Sequence, residues 1–254
     1  MTLEEVRLLI HTITCITVTL AAKVAVPWMW LWKKKVWGSK MHYTEQQKSL
    51  LQAVTRYSAG LNEATARYLA GRGVSKEVAQ EFSLGTVIEP ANGHEQFVGW
   101  LCIPYITALG ICVSVKFRRL DDGKPKYGQP IGQKTHIFNV ADTAIDSPYI
   151  AICEGELDAL ILSGMCDIPA VGIPGVTAWK PYFTKLFAGF DAVYVIGDND
   201  VKEDGTNPGA EFSKRVAAEV QNSQIVQLPP GMDINEFYLA HGKQSVRDLL
   251  GVRQ

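Results

Sequence analysis

From Thr44 onward the apolar positions recur with a helical period. Leu50, Leu51, Val54 and Tyr57 share one face, Thr44 with Gln47 reads as a capping box, and Gly60 closes the run. A second short helix is expected from near Asn62, carrying Ala66, Tyr68 and Leu69 and ended by Gly71 and Gly73. Ser75 caps a third, with Val78, Ala79 and Phe82, which is expected to end at Gly85. The period then shortens to two. Residues 97–106 and 111–120 read as strands around a turn at Leu109-Gly110, and Asp121-Asp122-Gly123 makes another turn.

After Pro148 the rhythm changes again. Short apolar runs at 149–153, 169–173, 192–196 and 224–228 alternate with helical patterns at 156–164, 179–187, 208–220 and 234–241. Asn207 is placed to cap the third of these helices, with Pro208 at its first position. Alternation of this kind implies an α/β fold, a parallel sheet flanked by helices. A small mixed α+β unit with a basic stretch precedes it. The expected organisation is an N-terminal extension at 1–40, a first subdomain at 41–147, the α/β domain at 148–242 and a C-terminal tail at 243–254.

The extension differs in composition from the rest. Residues 8–32 are mostly apolar and lead through Trp28, Trp30 and Trp32 into Lys33, Lys34 and Lys35. One reading is a membrane anchor with the lysines on the cytoplasmic side. Lys23, His11 and Pro27 oppose it, and the cleanest stretch falls short of the roughly 20 residues a span needs. A signal peptide is opposed by Glu4 and Glu5. The favoured reading is a segment inessential to function, with Met41 opening the working chain in the cytoplasm and no stable membrane partner.

Composition narrows the classes. Of 254 residues 47% are hydrophobic, enough for a buried core, and the net charge of −1 excludes a globally basic nucleic-acid coat. The five cysteines form no C-x-x-C pair and have no histidine at zinc-finger spacing, so no zinc site is expected. Their odd, scattered placement fits a reducing compartment.

Acids stand where an open parallel sheet collects its functional groups, just past the carboxyl ends of strands. Glu154 follows the first strand, Asp198 and Asp200 the third, and Asp233 comes soon after the fourth. Asp158 lies one helical turn beyond Glu154, facing the same opening. Clustered carboxylates repel unless a cation lies between them, and hard oxygen ligands of this kind suit Mg²⁺, with Mn²⁺ able to substitute. An acid after a strand also serves as an ordinary helix cap; the repetition at three strand ends favours the metal reading. Glu203 and Asp204 read as solvated loop acids.

Lys116, Arg118, Arg119, Lys124 and Lys126 crowd residues 115–127, with Tyr127 beside them. Cations with an interleaved ring suit single-stranded nucleic acid. A solvated hairpin has the same composition. No Walker A loop, G-x-G-x-x-G fingerprint or G-x-S-x-G elbow is present.

These residues carry a family resemblance. Cys153-Glu154-Gly155-Glu156-Leu157-Asp158-Ala159 resembles the E-G-x-x-D signature of Toprim domains, and Gly197-Asp198-Asn199-Asp200 their D-x-D. The stretch from Tyr68 to Gly85 resembles the helical start of the bacterial and phage DnaG-type primase catalytic core. Ile103-Pro104-Tyr105 with Phe117-Arg118-Arg119-Leu120 and Pro125-Lys126-Tyr127 resembles that core's basic subdomain, and 229–236 its final acidic motif.

The resemblance implies a DNA primase, a DNA-directed RNA polymerase making short primers from NTPs on single-stranded DNA. It assigns Glu154, Asp198 and Asp200 to catalysis. Mg²⁺ would be held by these three with Asp158 and Asp233. Template and nucleotide would be held by Lys116, Arg118, Arg119, Lys126 and Tyr127. A Toprim nuclease and a non-catalytic single-strand-binding accessory are the rival readings. The chain departs from the family pattern in lacking a zinc ribbon and a helicase-binding region, in carrying Asn235 where a second acid is usual, and in a lengthened loop at 201–207. A split, phage-type primase working with a replicative helicase and a separate zinc-binding module is therefore expected.

Overall fold

The computed structural model describes residues 43–252, and the expectations about residues 1–40 lie outside the described residues. Met41–Gln254 form one compact unit. Helix α1 (Glu45–Ala59) starts with the expected capping box: the Gln47 N–H donates to Thr44 Oγ1 at 3.2 Å and the Thr44 N–H to Gln47 Oε1 at 2.9 Å. Asn62 and Ser75 cap α2 (Glu63–Gly71) and α3 (Lys76–Glu81). The third helix stops short of Gly85, because Ser83 turns the backbone into the left-handed region (φ 54°) and Gly85 already begins a strand.

Strands β1 (Gly85–Thr86), β2 (Leu101–Ile106), β3 (Cys112–Arg118) and β4 (Tyr127–Gly128) form an antiparallel sheet in that order. The strand expected from residue 97 begins at 101, since Glu95–Phe97 is a 3₁₀ turn. Alternation sorts the side chains into two layers. Cys102, Val115 and Phe117 pack with Ala53, Val54 and Tyr57 of α1. Leu101, Ile103 and Tyr105 point the other way, into a core shared with the second half of the chain.

That half holds a parallel sheet of β5 (Tyr149–Cys153), β6 (Ala170–Gly172), β7 (Ala192–Ile196) and β8 (Ser223–Ile225), in the order β6-β5-β7-β8. Its helices are α4 (Glu156–Leu160), continued by a π turn at Ile161–Met165, α5 (Pro208–Glu219) and α6 (Ile234–Leu249). One face of the sheet, with Ala151, Cys153 and Ile196, packs on α4, α6 and the first sheet. The other, with Ile150, Ile152, Val193 and Val195, packs on Trp179, Phe183, Phe187 and Phe212. The chain steps outward from β5 to β6, then crosses back to β7, so a topological switch point falls between β5 and β7.

Three expectations are corrected. The helix at 179–187 is a 3₁₀ segment over Pro181–Leu186; the four-residue spacing of Trp179, Phe183 and Phe187 buries one face without a full α-helix. The last strand is short and mostly exposed. The tail at 243–254 is no tail. Gly242 (φ 79°) kinks α6, the helix resumes to Leu249, and Val246, Leu250 and Val252 enter the core. No helix among the described residues is long and apolar enough to cross a membrane.

Candidate functional site

Glu154 follows β5 and Asp198 follows β7, so the two acids flank the switch point on neighbouring strands. Glu154 Oε2 accepts the backbone N–H of Asp198 at 3.2 Å. The approach depends on bare backbone. A Cβ on Gly197 would lie 2.1 Å from the Gly209 carbonyl oxygen, and one on Gly209 would lie 2.1 Å from that of Asp198 and 2.8 Å from Glu154 Oε2. The start of α5 is thus pressed against the loop that carries Asp198. Asn207 caps α5 through the Ala210 N–H (3.0 Å) and donates to Asn199 Oδ1 (2.8 Å). Asn199 in turn donates to the Leu228 carbonyl (2.6 Å), and its backbone exchanges bonds with Met232 and Gly231. This stitching brings the 228–233 segment, and Asp233, to the same opening.

The acids sense one another. Asp198 is pushed up to about 7 by burial first and then by Glu154, Asp233 and Asp200. Asp158 is raised well above the carboxylate range by lost hydration, with Asp198, Asp233 and Glu154 adding repulsion. Burial also raises Glu154 and Asp233; the Asp198 N–H works against it at the first and the Glu236 N–H at the second. Asp233 is at the same time the N-cap of α6, its Oδ1 accepting the Glu236 N–H at 2.6 Å. Asp200 is different: it is exposed at the mouth, 3.7 Å from Lys202. Among the described residues no lysine or arginine forms an ion pair with Glu154, Asp158 or Asp198.

No three acidic, His or Cys side chains among the described residues already converge enough to hold an ion alone. Mg²⁺ does not need that. It keeps several waters and takes one or two carboxylates together with substrate phosphates. An open set of mutually repelling carboxylates, of which Glu154, Asp158 and Asp198 form no ion pair among the described residues, fits that coordination better than a closed protein cage would.

The basic residues divide in a way the sequence did not reveal. Lys116 and Arg118 do share a face of β3, but that face packs against the parallel half. Lys116 is only 8% exposed and its Nζ lies 2.6 Å from Glu156 Oε1, which also accepts from Tyr105. Its expected place on a nucleic-acid surface is corrected to a buried ion pair. Tyr127 is likewise engaged: Lys116 Nζ lies 4.4 Å and the Arg118 guanidinium 4.8 Å from its ring centre, and its hydroxyl bonds Arg118. The half-buried ring is thus already engaged by two cations. Arg119 is half-buried between Asp121 (3.3 Å) and Trp100 (4.6 Å to the ring centre). Lys126 is exposed.

Sequence reasoning missed Glu156 and Arg72. Glu156 reads as a solvated first-turn acid until its partner is seen. Arg72 Nη1 lies 3.2 Å from Asn235 Oδ1 and 3.9 Å from Asp233 Oδ2, and the Asn235 amide bonds the Arg72 carbonyl. Buried Asn235 therefore ties α2 to α6.

No protein-family model matches the chain. The Gene 57 protein of Mycobacterium phage D29 is 39% identical over 152 residues, 58% of this chain and 95% of that protein. The solved structure of Aquifex aeolicus primase (zinc binding and RNA polymerase domains) superposes with a TM-score of 0.68 at 22% identity, covering 84% of this chain. This chain spans 64% of that one. A DnaG primase catalytic domain bound to ssDNA superposes with a TM-score of 0.64 at 17% identity, covering 81% of each chain.

Proposed function

From a chain that belongs to the family of the Gene 57 protein of Mycobacterium phage D29 and has the fold of the DnaG primase catalytic core, we propose a primase that makes short RNA primers on single-stranded DNA. The observation that carries the proposal is the meeting of Glu154 and Asp198 across the switch point, with Asp158 and Asp233 beside them. This Toprim-type cluster faces the half that carries Arg72, Arg118 and Lys126.

In the proposed reaction a primer 3′-hydroxyl attacks the α-phosphate of an NTP and pyrophosphate leaves. Glu154, its Oε2 held by the Asp198 N–H, takes the hydroxyl proton on its other oxygen. Asp158 and Asp198 are the residues to hold Mg²⁺, with Asp233 supporting and Asp200 at the entrance. Bound there, the ion supplies Lewis-acid stabilisation of the charge that develops on the phosphoryl oxygens. Exposed Lys126 is the proposed contact to the template backbone. A replicative helicase and a zinc-binding module on a separate chain are the proposed partners.

The test is a primer-synthesis assay on single-stranded templates with labelled NTPs and Mg²⁺. Short RNA products supported by this chain, alone or with a zinc-binding partner, are expected. Strand scission in the absence of NTPs overturns the reading in favour of a Toprim nuclease.

A further inference from the structure

The cleft's cations are not separate surface charges. Each lies against an aromatic ring, and the contacts join into one continuous series. The Arg72 guanidinium lies 5.9 Å and that of Arg118 5.4 Å from the Tyr68 ring centre. Arg118 also lies 4.8 Å, and Lys116 Nζ 4.4 Å, from the Tyr127 ring centre. The order Arg72–Tyr68–Arg118–Tyr127–Lys116 draws on α2, β3 and β4.

Each end of the series closes on a segment that bears site acids. Arg72 reaches Asn235 (3.2 Å) and Asp233 (3.9 Å) at the start of α6. Lys116 reaches Glu156 (2.6 Å), between Glu154 and Asp158 at the start of α4. Three like charges so close repel one another. Each ring lies within 6 Å of two of these cations, and its attraction for them offsets part of their repulsion. This series of contacts therefore links the two acidic segments through α2, β3 and β4.

We propose that Tyr68 is a positioning residue: its ring holds Arg72 and Arg118 in register, and through them the series sets the separation of the 154–158 and 233–236 segments. The inference rests on the acidic cleft being the working site, as proposed above. It concerns the ring rather than the hydroxyl, which is buried beside the Arg72 guanidinium without an aligned hydrogen bond. Tyr68 touches neither acid segment itself in the contacts above; it acts through its cations.

The full chain tests this by amide hydrogen exchange with peptide resolution, alongside thermal melting. Tyr68→Leu, which removes the ring, is expected to speed exchange in both the 154–158 and 233–236 peptides, while peptides of α1 and β7 stay at wild-type rates. Tyr68→Phe is expected to behave as wild type. Arg72→Met, cutting the series at one end, is expected to loosen only the 233–236 side. In primer synthesis, Tyr68→Leu should raise the half-saturating Mg²⁺ concentration about tenfold, the usual scale for outer-shell partners of a metal site, and Tyr68→Phe should leave it unchanged.

Unchanged exchange in Tyr68→Leu overturns the proposal, as does an equal effect from Tyr68→Phe or a loosening spread evenly over the chain. Should Tyr68→Leu fail to fold, Arg118→Met cuts the series at its centre and must loosen both acidic segments for the proposal to stand. A wild-type protein that makes no primers sinks the proposed function, whereas the exchange comparison is decided independently of it.

Discussion

Glu154 and Asp198 are joined through main chain: the carboxylate of the first accepts the peptide N–H of the second at 3.2 Å, across neighbouring parallel strands. One charge is thereby fixed relative to the other before any ligand arrives. Preorganisation of this kind matters because a site assembled beforehand pays no ordering cost at the moment of reaction.

Glu154→Gln keeps an oxygen for the Asp198 N–H but removes the charge. Primer synthesis is expected to fall by roughly 10²-fold or more, the scale of a general acid–base contribution. The melting temperature should stay level or rise, since repulsion with the neighbouring acids is relieved. Labelled-primer gels and thermal melts check both; full activity in this variant removes Glu154 from the reaction.

The metal-free protein has a pH dependence of defined sign. Asp198 titrates near 7 in the folded chain, above its unfolded value, so the folded state binds the extra proton. Its contribution to stability is complete below the unfolded value and is lost as pH rises through about 7. Denaturation in chelator should show falling stability across that window, and Asp198→Asn should flatten the slope. Added Mg²⁺ should release protons, which calorimetry in buffers of different ionisation enthalpy detects. A wild-type curve as flat as the variant's contradicts the assignment.

Lys116→Met strands Glu156 in a buried position, and about 3–5 kcal/mol of stability should be lost. Adding Glu156→Leu should recover most of it, because an apolar pair of similar size escapes the desolvation cost of two ions. Urea titrations of the single and double variants measure the difference. No recovery would mean that Tyr105, which donates to the same oxygen, needs Glu156 on its own account.

Lys126→Ala and Lys116→Met should separate cleanly in DNA binding. The exposed Lys126 is expected to account for about one phosphate contact, lowering the salt slope on single strands by roughly 0.7. The buried Lys116 should leave the slope as it is. Fluorescence anisotropy at several salt concentrations decides; a smaller slope for Lys116→Met returns that lysine to the binding surface.

Gly209→Ala places a methyl 2.1 Å from the Asp198 carbonyl oxygen and 2.8 Å from Glu154 Oε2. The start of α5 must move, at a cost of about 1–3 kcal/mol or more for overpacking. The loss of activity should exceed what the lower stability explains, because the shift falls on the loop that carries Asp198, proposed as a metal-holding residue. Activity measured well below the variant's melting temperature makes that comparison.

The order of elements in the second half was legible because buried parallel strands write themselves as unbroken apolar runs, as at β5 and β7, and because Thr44, Asn62, Ser75 and Asn207 are chemical caps. Meeting points were legible only where topology forces them: acids after adjacent strands had to come together. What covers a face was not legible. Alternation placed Lys116 and Arg118 on one side of β3, yet nothing local in a strand tells whether water or another sheet lies over it. The 243–252 segment was misread for a related reason. Gly242 is a stop signal in isolation, but Val246 and Leu250, four apart, carried the helical period that the kink interrupts.

The glycines beside the acids have a consequence for recognising such chains. A Cβ on Gly172 would meet the Gly155 carbonyl oxygen at 2.6 Å on one side of β5, Cβ atoms on Gly197 and Gly209 would meet main chain on the other, and one on Gly155 would meet the Asp158 carboxylate at 2.8 Å. A text pattern of glutamate–glycine, followed far downstream by glycine–aspartate, thus reports tight crossings beside the acids as much as it reports charge. A sequence that kept the acids and put any side chain at those crossings would still look right to a reader counting carboxylates, and would have nowhere to put them.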